Sequence, residues 1–305
     1  MKNLLMLLKR EYWENKVSII KVPVLLGFTL IAFTILSMLL GFNQLDININ
    51  THITPHIAKM ACTTILLGVS TVFNIVLLIA ISYYSLSALF EERKDRSILF
   101  WKSLPLSETN MVFAKLITAL VVTPVATWVV MMFTSIIALL LATISLTLTG
   151  NPTLALWQAG TIFSSWGHIF LRLCLQSLGI FPMVAWFMLC SAYAKRSPFL
   201  LAIIIPIVLV ILEKMLLPFY ALGHFVSYQF QHLFIYWHSE LSHYVTKAHQ
   251  LSGPGSIITQ GISIKGAAFA NFHGLLTSPY YWISASIGII FIAIAIVLRN
   301  TRYEC

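Results

Sequence analysis

Of 305 residues, 59% are hydrophobic and only 10% are charged, and the mean hydropathy is +0.88. A soluble domain carries about 25% charged residues, so this chain cannot clothe a compact body in a solvated surface and needs lipid as its apolar solvent. The net charge of +9 does not point to nucleic acid, because no basic run interleaves with aromatics on a polar surface; a positive-inside bias and anionic headgroups account for it.

Inside hydrocarbon every backbone amide needs a partner, which leaves helices and closed barrels. A barrel requires alternating segments of about ten residues, whereas this sequence has continuous apolar runs. The expected fold is therefore an all-α membrane protein. Its N-terminal residues 1–18 read as an interfacial helix: Lys2, Lys9 and Lys16 share one face, and Leu4, Leu5, Leu8 and Tyr12 gather on another. Met6, Leu7 and Trp13 fall outside that apolar sector, and a plain positively charged topology anchor fits equally well. The apolar run Leu4 to Leu8 is too short for a signal-peptide core, so the first span should act as an uncleaved insertion signal.

Six spans of about 20 residues follow. The first is expected over Val22 to Phe42 and the second over Thr64 to Phe90. The third starts at Met111, with its membrane core to Ala142. The fourth covers Ile169 to Ala194, the fifth Phe199 to Leu217 and the sixth Tyr280 to Leu298. The run from Met111 to Thr149 is long enough for two spans, but its only charge is Lys115 and no tight-turn cluster divides it. It reads as one helix, strained near Pro124 and ending at Gly150. With six spans and both termini cytoplasmic, thirteen lysines and arginines fall inside and three outside, a strong orientation signal. Residues 218–279 form a long outer loop. Its aromatic, histidine-rich first half suits re-entrant or interfacial helices, with a break at Ser252 to Ser256.

Three groups of residues carry potential chemistry. The segment between spans two and three holds Glu91, Glu92, Arg93, Lys94, Asp95, Arg96 and Lys102 around the apolar Ile98 to Trp101. Pro105 ends any helix there, and Ser107 is placed to cap the next. Phe100 and Trp101 beside paired charges make either a docking patch for a soluble partner or a solvated connector whose aromatics dip into the interface. Glu213 and Lys214 lie roughly 20 Å into the fifth span at 1.5 Å per residue, and ionisable groups there are functional candidates. A structural ion pair of Glu213 with Arg172 competes with that role. Lys115, one turn into span three, reads as snorkelling toward the inner surface. The nine histidines include no His-Glu-x-x-His helix and no three-ligand cluster, and the four cysteines show no metal-type spacing, so no metal site is expected.

The run from Ser85 to Ser107, with Glu91-Glu92-Arg93-Lys94-Asp95-Arg96 and Phe100-Trp101-Lys102-Ser103-Leu104-Pro105 at its centre and Lys115 following, resembles the segment between spans two and three of ABC-2 type ABC transporter permeases. The opening Leu7-Leu8-Lys9-Arg10-Glu11-Tyr12-Trp13-Glu14 is similar to the N-terminus of those subunits. The resemblance implies an export permease of the bacterial cytoplasmic membrane that dimerises with itself or a relative and pairs with two ABC ATPase subunits. Its coupling helix would use Glu91, Glu92, Arg93, Asp95, Arg96, Phe100, Trp101, Leu104 and Pro105. Residues 1–16 would be a connecting helix, and the outer aromatic segment would cap the translocation path. The chain has no phosphate-binding Gly-x-x-x-x-Gly-Lys-Ser/Thr loop, so no cofactor is expected here, and ATP with Mg would belong to the partner. Competing readings are a secondary transporter coupling ions through Glu213, Lys214 and Arg172, an enzyme with a metal at the outer histidines, and a non-transporting assembly or sensor subunit.

Overall fold

The computed structural model describes residues 2–40, 55–95, 107–148, 157, 159–216, 223, 225–227, 277 and 279–301. Its principal elements are α1 (Lys2–Glu14), a π-turn (Val17–Lys21), α2 (Val22–Leu39), α3 (Pro55–Ser87), α4 (Phe90–Lys94), α5 (Glu108–Ile117), a second π-turn (Thr118–Val122), α6 (Thr123–Leu148), α7 (Ala159–Tyr193), α8 (Pro198–Leu216) and α9 (Pro279–Thr301). No strand occurs among the described residues. Six helices are long and apolar enough to cross a membrane: Val17–Leu39, Cys62–Lys94, Glu108–Thr147, Ala159–Tyr193, Pro198–Leu216 and Tyr281–Thr301. The re-entrant helices expected within 218–279 fall almost wholly outside the described residues.

Apolar run length locates the fifth and sixth spans to within a few residues but places the start of the fourth ten residues late, at Ile169 instead of Ala159. The missed turns contain Thr161, Ser164, Ser165 and His168, which interrupt the apolar run. They still bury a helical stripe of Ile162, Ser165, Trp166 and Ile169. Periodicity, not run length, marks that beginning.

The third span is one helix of 40 residues, Glu108–Thr147. The strain expected at Pro124 is taken up just before it, by the π-turn Thr118–Val122. Proline lacks an N–H and crowds the carbonyl four residues back. One extra residue in the turn moves the ladder aside, so that the Thr123 N–H reaches the Thr118 carbonyl five residues away. The Thr123 hydroxyl donates to the same carbonyl at 2.9 Å. The first span repeats the device: the turn Val17–Lys21 ends with Val22 N–H bonded to Val17 O, immediately before Pro23.

Helix α7 is the centre of the bundle, packed along α3 and α9, with α8 against its C-terminal half. Helix α2 lies along α6, and α3 closes the gap between α6 and α7. Without a hydrophobic driving force in lipid, such contacts depend on close fit at small residues. A Cβ at Gly288 of α9 would stand 2.8 Å from the Phe181 ring and 3.1 Å from the Pro182 backbone of α7; one at Gly27 of α2 would stand 2.6 Å from the Thr134 hydroxyl of α6. The core they close contains Leu66, Phe73, Leu139, Ile169, Val184 and Met188. In mid-bundle the amides of Asn74 (α3) and Gln176 (α7) pair with each other, at 2.5 Å one way and 3.3 Å the other. Outward faces carry large apolar side chains such as Phe28, Phe33, Ile79, Phe133 and Phe163, as lipid contact demands. Helix α8 is the extreme case, burying only Ala202 and Glu213.

Candidate functional site

Charged side chains of α1, α4, α5 and α9 converge at one end of this bundle. Helix α1 packs on α5 through Leu4, Leu7 and Leu8 against Met111 and Ala114. The packed face is thus Leu4, Leu7, Leu8 and Glu11, the i, i+3, i+4, i+7 spacing of one helical stripe. Leu5 and Met6 point away and are 65% and 70% exposed. The expected apolar sector therefore included Leu5 wrongly and omitted Leu7. The reason is that the stripe includes a carboxylate, Glu11, which a count of apolar residues does not recognise as buried.

Glu11 is 2% exposed. It accepts hydrogen bonds from the Tyr84 hydroxyl of α3 at 2.9 Å, the Lys115 ammonium of α5 at 2.9 Å and the neighbouring Arg10 at 3.2 Å. Glu92 of α4 is the second hub. Arg10 reaches it at 2.8 Å, Lys115 at 3.0 Å and Arg299 of α9 at 2.8 Å. Arg299 also bonds Glu108 in the first turn of α5 through its Nε. One network of alternating sign therefore ties α1, α3, α4, α5 and α9 together. Burial works against the charge on Arg10, but Glu11, Glu14 and Glu92 outweigh it and raise the guanidinium pKa above its ordinary value. Lys115 does not snorkel out to headgroup water as expected; it is 3% exposed, with both hub carboxylates as partners. Snorkelling serves a charge that has no other partner, and this one has two.

Helix α4 is fixed from its other side as well. The Ser191 hydroxyl of α7 accepts the N–H groups of Leu89 and Phe90 at 3.1 and 2.9 Å, filling the role of an N-cap from another helix. In return Arg93 donates to the Ser191 and Ala194 carbonyls at 2.7 and 2.8 Å, satisfying the C-terminal end of α7. Ser107 has the extended backbone of an N-cap, yet its hydroxyl contacts the Thr109 hydroxyl and caps no N–H. Glu108 supplies the negative charge at that helix start instead.

The residues singled out in sequence divide accordingly. Glu92 and Arg93 turn inward and hold the segment; Glu91, Lys94 and Asp95 turn outward. Arg96, Phe100, Trp101, Leu104 and Pro105 lie outside the described residues. Glu213 and Arg172 are both buried, and Glu213 accepts the Gly223 N–H at 2.8 Å, while Lys214 is exposed. Among the described residues no three His, Cys, Asp or Glu side chains cluster as a metal site would require. Sequence reasoning missed Arg10, Glu11, Tyr84, Glu108, Arg299 and Ser191 as members of the site. A usable signal was present in Lys115: a cation inside an otherwise uncharged run needs a buried counter-charge, and Glu11 sits on the apolar stripe of α1.

Among the described residues the arrangement offers no nucleophile–base pair; its buried charges and hydrogen bonds join five helices at the end of the bundle where Glu91, Lys94 and Asp95 are exposed. The sequence matches no family model and no curated protein, and no solved structure matches the fold.

Proposed function

We propose that the chain is the membrane-spanning permease subunit of an ATP-binding cassette exporter, working as a dimer in a bacterial cytoplasmic membrane on ATP hydrolysed by a separate subunit. The observation that carries the reading is the anchoring of α4. A segment that receives a push from a soluble motor must be stiffly joined to the spans, and α4 is joined to α1, α5 and α9 through Glu92 and to α7 through Arg93 and Ser191. Its remaining charges, Glu91, Lys94 and Asp95, are exposed, as are Lys195 and Arg196, which follow the Ala194 carbonyl that Arg93 holds. The likeness of residues 85–107 to the ABC-2 permeases supplies the identity of the motor.

Co-expression with ABC ATPase subunits tests the proposal. Arg96→Ala with Trp101→Ala should abolish co-purification and the stimulation of ATP turnover; undiminished values for both would sink the coupling assignment.

Buried Glu213 and Arg172 favour a second reading, an ion-coupled secondary transporter. It predicts uptake driven by an ion gradient with no ATPase present, and loss of that uptake in Glu213→Gln.

A further inference from the structure

Helices α4 and α5 flank residues 96–106 in sequence, and one carboxylate from each, Glu92 and Glu108, is held by a single guanidinium. Arg299, in the last turn of α9, is 3% exposed. Its Nη1 lies 2.8 Å from Glu92 Oε2, its Nε bonds Glu108 Oε2, and its Nη2 donates to Met111 Sδ at 3.7 Å. Glu92 and Glu108 are 16 residues apart in sequence, and α4 is also joined to α5 by Glu92 with Lys115 at 3.0 Å. Arginine suits such a place: its planar fork spans two carboxylates in a fixed geometry, where the point charge of lysine serves one.

We propose that Arg299 is the positioning residue for α4 and the start of α5, stapling these two flanks together and to the final span. Three features separate this role from general stabilisation. The guanidinium bridges two carboxylates belonging to opposite flanks. Both carboxylates belong to elements bordering the segment, and neither to the core of a span. The helix that carries Arg299 is the one most extensively packed on α7, so the staple gives the segment a path to the centre of the bundle independent of the Arg93–Ser191 contact. This inference rests on the exporter reading only for what the segment docks with; the staple itself is a property of the single chain.

The test uses hydrogen exchange of the full chain in lipid nanodiscs, because each flank contains a reporter amide. Asp95 N–H bonds Glu91 O at 2.9 Å on one side, and Met111 N–H bonds Ser107 O at 3.3 Å on the other. In Arg299→Gln both amides should exchange about tenfold faster, while Ala194 N–H, bonded to Cys190 O at 2.9 Å outside the staple, keeps its rate. Arg299→Lys, which can serve one carboxylate, should loosen one flank only. Unchanged exchange at Asp95 and Met111 in Arg299→Gln overturns the staple, and so does an equal rise at Ala194, which would mark general loosening. If Arg299→Gln does not assemble in nanodiscs, Glu108→Gln decides: it should loosen Met111 and spare Asp95, and protection unchanged at Met111 overturns the proposal. A second arm adds an ABC ATPase subunit that co-purifies with the parent chain. Loosened flanks with unimpaired ATPase association would leave the staple standing and overturn the docking reading, whereas unchanged flanks defeat the staple whatever the ATPase does.

Discussion

Two polar clusters hold this bundle together, and they are made of different chemistry. At the charged end, Glu11, Glu92 and Glu108 meet Arg10, Lys115 and Arg299. In mid-bundle, Asn74 meets Gln176, and elsewhere along α7 Trp166 donates to Ser135 of α6 at 3.1 Å. The difference follows from depth. A full charge at the centre of a bilayer is expensive even by the most lenient scale, about 2.5–3.5 kcal/mol, whereas an amide pair satisfies its own dipoles at little cost. Where spans end, a counter-charge is within reach from several helices at once and the ionic form is retained. Neutral glue therefore sits within the bundle, and ionic glue sits at the span ends, where α4 is anchored.

The comparison breaks most easily at Glu92. Glu92→Leu removes the carboxylate that faces Arg10, Lys115 and Arg299 and leaves those cations short of a partner. Removing one member of a buried ion pair typically costs about 3–5 kcal/mol. Thermal unfolding in nanodiscs should therefore show the largest destabilisation of any single change discussed here. Because the network is buried, raising the salt concentration should not reproduce the loss in the parent protein. A Glu92→Leu protein as stable as the parent would mean that the network adds nothing beyond packing.

Much of the fold is readable from residues, and the site is readable only in halves. Six helices long enough to span follow from apolar runs because lipid enforces length. The boundaries fail where polar residues lie on a buried stripe, as at Thr161 to Ser165. The segment 91–110 stands out by composition, yet which of its charges turn inward does not, since Glu91 and Glu92 look alike in sequence and differ only by a rotation of about 100° on a short helix. Long-range partners were the hardest. Arg299 and Glu108 are 191 residues apart, and a terminal arginine has an adequate local explanation as a topology signal. Only the third dimension shows that it is buried.

A sharper cut within the charged cluster is Tyr84→Phe, which keeps the ring and removes one donor to Glu11 at 2.9 Å. A hydrogen bond to a charged group contributes roughly 1.5–3 kcal/mol, and Lys115 and Arg10 remain to hold the carboxylate. The loss should therefore fall below that of Glu92→Leu, and the same unfolding measurement ranks the two. A Tyr84→Phe protein less stable than Glu92→Leu would move the centre of the network from Glu92 to Glu11.

The smallest effect belongs to the amide pair. Interhelical polar contacts in membrane proteins average about 0.6 kcal/mol and reach about 1.7, so Gln176→Leu should cost less than either change at the charged end. Its cost comes mostly from stranding Asn74, which would be left among Ser70, Phe73 and Leu77 without its amide partner. Replacing both partners removes that penalty, because two apolar groups of similar shape need no hydrogen bond. Asn74→Leu with Gln176→Leu should accordingly be more stable than Gln176→Leu alone. The matching experiment at the other end has the opposite sign: Glu11→Leu added to Glu92→Leu strands Lys115 and Arg10 still further, so the second loss adds to the first. Finding the same sign at both ends would show that depth does not separate the two kinds of glue.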